Sequence, residues 1–279
     1  MDFNSISSIV TPALVIGGMG LALGLILGIM GKVFHVEQDE NVAAISAFLP
    51  GVNCGACGYA GCATFAQNLA DGNAKPSDCP PASDEARAKI AEIMGVELEA
   101  VRKAVAYVKC AGGHSNSTYR EGFEKLAIDD CRAVESQEDG GAKACRYGCV
   151  GYNSCGRVCP FDAIDIVDGI AVINDKCTAC GVCVAACPRD LISIIPKDSV
   201  TRVACNSKEL GKVVREVCQN GCIGCRLCAR ACGDQEAVLF ADNLAKIDYD
   251  KCTTCEACIE KCPTKCILKY NGTIGERRA

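Results

Sequence analysis

Charged residues are missing from the chain between Asp2 and Lys32. Within that gap the densest apolar run covers residues 9–30. As a helix it would be about 33 Å long, enough to cross the hydrocarbon core of a bilayer. Beyond Lys32 the pattern changes to short β-branched runs. These are Ala163-Ile164-Asp165-Ile166 and Ala171-Val172-Ile173 around Gly169, and Leu191-Ile192-Ser193-Ile194-Ile195 before Pro196. Further on come Ala237-Val238-Leu239-Phe240 and Ala245-Lys246-Ile247 around Asn243, then Cys266-Ile267-Leu268-Lys269. Each run predicts a strand of a few residues, and the turn residues between neighbouring runs predict two hairpins. Residues 64–71 and 83–94 read as helices, the second opening on Ser83 with Asp84-Glu85 in its first turn. Residues 101–109 fit a strand or a helix, and 135–141 form a polar linker ending in glycine.

A cleavable signal peptide is the competing reading of the first segment. It expects a basic stretch ahead of a shorter apolar run, and here no Lys or Arg precedes the run. A retained single-pass anchor is therefore expected. Lys32 at its far end places the rest of the chain on the cytoplasmic side. Gly20, Gly24 and Gly28 share one face of that helix, where a partner helix could approach closely, although glycine is common in membrane helices in any case.

Composition overrides the two-domain expectation that 279 residues alone would set. The chain has 25 cysteines, no tryptophan and 7 phenylalanines, so bound metal rather than a large aromatic core is expected to fold small modules. Net charge is −5, unevenly spread. Residues 33–142 hold 9 Lys/Arg against 17 Asp/Glu, whereas 143–279 hold 19 against 16. The second, mildly basic part could offset anionic cofactors and receive an acidic electron carrier, or be an ordinary solvated surface. No basic run exceeds Arg277-Arg278 and no aromatic platform exists, so nucleic-acid binding is not expected.

The cysteines are written in a repeated pattern. It reads Cys177-x2-Cys180-x2-Cys183-x3-Cys187-Pro188, Cys222-x2-Cys225-x2-Cys228-x3-Cys232 and Cys252-x2-Cys255-x2-Cys258-x3-Cys262-Pro263. A stretched copy, Cys145-x3-Cys149-x5-Cys155-x3-Cys159-Pro160, precedes them. Three closely spaced thiolates wrap one corner of a compact inorganic core, and the fourth reaches the neighbouring cluster. Disulfides fit poorly, because thiols on one tight loop would all need distant partners. Structural zinc prefers paired knuckles. Four [4Fe–4S] clusters in two pairs are expected. Earlier in the chain, Cys54, Cys57 and Cys62, set among glycines, and Cys79 before Pro80 form a fifth set. Cys110 and Cys131 read as buried thiols. Cys205, Cys218 and Cys266 are left over, and Cys218→Ser is expected to keep the full iron content. His35 and His114 have no partner spacing and receive no role.

The expected architecture is α+β: a membrane helix (1–31), a small helical single-cluster domain (32–95), a connecting region (96–142), a two-cluster ferredoxin domain (143–198), a linker (199–216) and a second such domain (217–279). The repeats resemble bacterial two-cluster ferredoxins. From the apolar anchor through Asn53-Cys54-Gly55-x-Cys57-Gly58-x-x-Gly61-Cys62, Cys79-Pro80, Cys110-Ala111-Gly112-Gly113 and the stretched motif, the chain is similar end to end to the B subunit of the Rnf complex, in its clostridial form. That family belongs to a membrane-bound ferredoxin:NAD⁺ oxidoreductase that couples electron flow to Na⁺ or H⁺ translocation. The resemblance implies an electron-transfer subunit of a translocase, fed by soluble ferredoxin, with NAD⁺, flavin and ion path on other subunits. It also implies four cross-ligated sets: Cys145, Cys149, Cys155 and Cys187; Cys177, Cys180, Cys183 and Cys159; Cys222, Cys225, Cys228 and Cys262; Cys252, Cys255, Cys258 and Cys232. No substrate-converting site is expected on this chain. The alternatives are an iron–sulfur subunit of another membrane-associated oxidoreductase with its own substrate, and a zinc-ribbon protein.

Overall fold

A computed structural model describes residues 3–33, 40–98, 100–121, 129–137 and 140–269, with the side chains of 3–13, 31, 33 and 234 excepted. His35 and the Arg277-Arg278 pair lie outside the described residues. The chain divides into two units, Met1–Ala43 and Ala44–Ala279.

The first unit carries helix α1, Phe3–Val33. Every described side chain from residue 14 to residue 30 is exposed, Ile16 and Leu14 to 72 and 70%. Among the described residues no helix is long and apolar enough to cross a membrane.

Helix α2, Glu40–Phe48, leads into the cysteine-rich part. Helix α3, Cys62–Ala70, buries Phe65, Ala66 and Leu69, a spacing of three and four that puts them on one face. Helix α4, Asp84–Met94, starts where the Ser83 side chain accepts the Ala86 N–H at 3.1 Å and stops at Gly95 in the left-handed region, φ 66°. Residues left open between strand and helix form β1, Ala104–Val108. Helices α5, Cys131–Glu135, and α6, Ser154–Arg157, follow. Strands β2, Ile164–Val167, and β3, Ile170–Ile173, make the first expected hairpin, turning at Asp168-Gly169. Then come α7, Val182–Ala186, and β4, Ile192–Pro196. The second half repeats the order: β5, Thr201–Val203; α8, Gly211–Val217; α9, Leu227–Cys232; the β6–β7 hairpin, Val238–Ala241 with Leu244–Ile247; α10, Ala257–Glu260; and β8, Ile267–Lys269.

Among the described residues the four sheets are all two-stranded and antiparallel. Strand β1 pairs with β4, Val105 opposite Ile195, and β5 pairs with β8, Val203 opposite Ile267. Each ferredoxin unit is thus closed by its first and last strands. Strand β1 comes from the expected connecting region, and β5 from the expected linker, so both units begin earlier than the cysteine motifs do. Their cores are small and partly made of sulfur. Val105, Ile164, Ile170, Leu191 and Ile192 pack with Cys155 and Cys183 in one, and Val203, Val238, Leu244 and Ile267 with Cys222 and Cys258 in the other.

Candidate iron–sulfur sites

Each triplet loop turns by the same device. The residue before the second cysteine and the residue after it both take positive φ: Ala179 (60°) and Gly181 (79°) about Cys180, Gly224 (66°) and Arg226 (60°) about Cys225, Thr254 (58°) and Glu256 (63°) about Cys255. Two left-handed residues in such short succession coil the backbone so that side chains and N–H groups turn inward. The fourth cysteine of each motif is followed by another left-handed residue, Asp162, Asp190 or Lys265, three positions on. After Cys232, which lacks its proline, the left-handed residue is Glu236, one position later.

This backbone aims N–H groups at sulfur. Ala163 donates to Cys159 Sγ at 3.4 Å and Leu191 to Cys187 Sγ at 3.4 Å, each just past the left-handed turn. Ala106 on β1 and Ala179 donate to Cys177 Sγ at 3.4 and 3.5 Å, and Ala171 on β3 to Cys149 Sγ at 3.5 Å. Such dipoles favour sulfur in its thiolate form and tune a bound cluster.

Two cavities are each lined by four cysteines. One holds Cys159, Cys177, Cys180 and Cys183, with Ala106, Ala163 and Ile173 among its walls. The other holds Cys232, Cys252, Cys255 and Cys258, against Val238 and Ile247. In both, the cysteine from the opposite motif joins the triplet. Burial pushes Cys183 up to about 12 and Cys258 up to about 11, with the other thiols of the same set adding to it. Around Cys228, pushed up to about 11 mainly by burial, the neighbouring thiols are Cys222, Cys262 and Cys225. Hydrogen bonding from the Cys266 thiol, 3.6 Å from Cys262 Sγ, holds Cys262 down at about 5 and Cys222 at about 6. Cys266 thus meets two members of one set instead of being spare.

The first motif departs from its expected arrangement. Burial pushes Cys155 up to about 12, and the thiols that add to this are Cys149, Cys131, Cys187 and Cys183. Cys131, read as a bystander, is therefore beside this set, held there by its N–H to Ser154 Oγ at 2.8 Å. Cys145 lines a third cavity instead, together with Cys110, Cys205 and Cys218. His114 packs its ring on Tyr119, with centroids 4.9 Å apart, and hydrogen-bonds the Asp168 carbonyl through its backbone N–H at 2.9 Å.

In the single-set module, Asn53 (φ 53°) accepts the Cys62 N–H on its Oδ1 at 2.8 Å and ties the two ends of the loop together. Buried Arg87 donates to the carbonyls of Cys79 and Pro80 at 2.8 and 3.0 Å, fixing the fourth cysteine. Burial pushes Cys79 up to about 11, with smaller contributions from Cys57, Cys54 and Cys62. Burial also raises Cys180, the Val182 N–H opposes it, and Cys54 is first among the thiols that add. The single-set loop therefore adjoins the first ferredoxin unit.

Among the described residues no group of three or more His, Cys, Asp or Glu is arranged to hold a single metal ion. A cubane spreads its ligands over separate corners. Four cysteines around an apolar-walled cavity, with backbone N–H groups donating to Cys159 and Cys177 Sγ, are a donor set that fits such a core.

Tandem ferredoxin units bearing these loops define an iron–sulfur protein of the electron-transfer class. Residues 49–81 match a family described as "Putative Fe-S cluster", and 170–193 and 245–268 each match the 4Fe-4S binding domain. The chain is 42% identical to the B subunit of the Na(+)-translocating ferredoxin:NAD(+) oxidoreductase complex of Acetobacterium woodii, over 94% of this chain and 78% of that protein. It is 35% identical to the B subunit of the ion-translocating oxidoreductase complex of Methanosarcina acetivorans, over 94 and 98%. It is 36% identical to the B subunit of the proton-translocating ferredoxin:NAD(+) oxidoreductase complex of Clostridium ljungdahlii, over 89 and 88%. The chain belongs to the family of B subunits of Rnf-type ion-translocating oxidoreductase complexes.

Proposed function

We infer that the chain is the membrane-anchored iron–sulfur subunit that takes electrons from soluble ferredoxin and relays them to other subunits of an Rnf-type complex. When bound, [4Fe–4S] clusters take up and release single electrons. The protein's part is to hold, shield and tune them. Cys54, Cys57, Cys62 and Cys79 hold one; Cys159 with Cys177, Cys180 and Cys183 a second; Cys232 with Cys252, Cys255 and Cys258 a third; Cys222, Cys225, Cys228 and Cys262 a fourth. Cys149, Cys155 and Cys187 contribute to a fifth. The observation that carries this reading is the pair of cavities, each lined by one triplet and the fourth cysteine of the other motif.

The cavity around Cys159, Cys177, Cys180 and Cys183 faces thiols, the Thr178 hydroxyl and apolar side chains. The one around Cys232, Cys252, Cys255 and Cys258 adds Thr201, Gln235 and Glu256, whose carboxylate is held by the Lys269 ammonium at 2.7 Å, so these walls serve to hold and shield a cluster. Conversion of NAD⁺ and ion movement therefore belong to partner subunits. Helix α1 serves as the single-pass anchor, with the rest of the chain on the cytoplasmic side. Its exposed apolar side chains over 14–30 support this, since such a surface calls for lipid or a partner helix.

The test is anaerobic purification of the full-length chain. Iron and acid-labile sulfide in equal amounts are expected, with low-potential paramagnetic signals after reduction by reduced ferredoxin. Material with little iron or sulfide overturns the reading.

A further inference from the structure

Cys110, Cys145, Cys205 and Cys218 line one cavity between the two ferredoxin units, alongside Gly112, Ser117 and Lys143. The four are two copies of one pair. Cys110 stands two residues after the end of β1, and Cys205 two residues after the end of β5. Cys145-x2-Gly148-Cys149-Val150-Gly151 has the same form as Cys218-x2-Gly221-Cys222-Ile223-Gly224. The backbone repeats with the sequence. The Cys149 N–H bonds Cys110 Sγ at 3.4 Å, and the Cys222 N–H bonds Cys205 in the same way. The halves meet directly, Ala111 N–H donating to the Ala204 carbonyl at 2.9 Å and Ser117 bridging Cys218.

We propose, on the iron–sulfur reading of the chain, that Cys110, Cys145, Cys205 and Cys218 hold a sixth [4Fe–4S] cluster at the seam between the ferredoxin units, and that Cys131 replaces Cys145 as the fourth ligand of Cys149, Cys155 and Cys187. Glycine at 112 leaves room for the sulfurs: a Cβ there would lie 3.0 Å from Cys218 Sγ, 3.9 Å from Cys110 Sγ and 2.5 Å from Ser117 Oγ. Lys143 supplies a second sign. It is 2% exposed, and its ammonium donates to the carbonyls of Gly112 and Cys149 with no carboxylate partner among the described residues. A buried cation needs compensating negative charge, and a thiolate-bound cluster in this cavity provides it.

The same register explains Cys131. Gly151 (φ 80°) and Asn153 (57°) occupy the two left-handed positions that flank the second cysteine in every other triplet. Tyr152 therefore stands where that cysteine would be. Cys131, one of the thiols acting on both Tyr152 and Cys155, makes up the missing ligand. Twenty-four of the 25 cysteines are then used, and the remaining Cys266 supports the Cys222 and Cys262 set. The sixth site also closes a gap. Cys205 acts with both Cys145 and Cys222, so the thiolate sets adjoin without a break from the single-set module to the second unit.

Native mass spectrometry of the anaerobically isolated full-length chain tests this. The heaviest species should carry six clusters, about 24 irons. A ceiling of five overturns the sixth site and leaves the iron–sulfur reading standing, whereas a chain without clusters overturns both. Cys110→Ser and Cys218→Ser should each lower the ceiling to five. The Cys145→Ser/Cys218→Ser pair should also stop at five, because both remove the same cluster. A ceiling of four for that pair would return Cys145 to the Cys149 set and overturn the assignment. Cys131→Ser/Cys218→Ser should reach four, and Cys266→Ser should keep six. If the variants do not fold, the wild-type ceiling decides.

Discussion

Arg87 is 5% exposed, and its guanidinium spends two hydrogen bonds on the carbonyls that follow and carry Cys79. Arg87→Met keeps the bulk but takes the side-chain donor from the Pro80 carbonyl and leaves the Cys79 carbonyl with the Ala82 N–H alone, at a cost of about 1–3 kcal/mol. The expected outcome is loss of one cluster from the single-set module on mild chelation, read as about four irons per chain, while the ferredoxin units keep theirs. Gly113 is a second such point. A Cβ there would collide with the Asp168 carboxylate and lie 2.7 Å from the Asp168 carbonyl oxygen, the acceptor of the His114 N–H. Gly113→Ala is expected to lower stability by about 1–3 kcal/mol in a thermal melt, as overpacking does. The Cys110-Ala111-Gly112-Gly113 turn is visible in the sequence as a turn. Which sulfur and which carboxylate press against its glycines is not, because Cys218 and Asp168 come from distant segments.

At the scale of elements, the hairpins and the capped α4 could be read from local pattern alone. Alternation around Gly169 and Ser83 ahead of Asp84-Glu85 are short-range signals. Strand β1 could not: its partner β4 lies at the far end of the unit, and a five-residue apolar run has no period that separates strand from helix. The first motif was legible in its cysteines, and its spacing admits two alignments. Aligning it on Cys177 makes it a stretched triplet, whereas aligning Cys145-x2-Gly148-Cys149 on Cys218-x2-Gly221-Cys222 exposes the second repeat. Loop register gives a further prediction. Tyr152→Cys should restore the cluster lost in Cys131→Ser, because it returns a thiol to the position between the two left-handed residues Gly151 and Asn153. Iron content and native mass of the double variant check it. Failure to regain the cluster would mean that Cys131 acts elsewhere.

Over the whole molecule, small cores interlaced with sulfur imply that metal is part of the fold. In each ferredoxin unit, removing the clusters leaves buried thiols and short two-stranded sheets, which are marginal on their own. Anaerobic treatment with an iron chelator is therefore expected to abolish cooperative unfolding in the ferredoxin units. Calorimetry before and after treatment checks it, and an unchanged transition would mean that the polypeptide folds alone. Helix α1 contributes none of the described cysteines. A chain without residues 1–33 is expected to move from the membrane pellet to the supernatant with its cluster content unchanged, as fractionation and iron assay would show.

Because the second unit opens on β5 and closes on β8, side by side, its two points of attachment lie next to each other. A stretch built this way can be spliced in or lost as a cassette. On the proposed six-cluster assignment the arithmetic of such a loss is uneven: excising a cassette with eight motif cysteines also orphans Cys110 and Cys145, so three redox centres would go where a count of its motifs promises two.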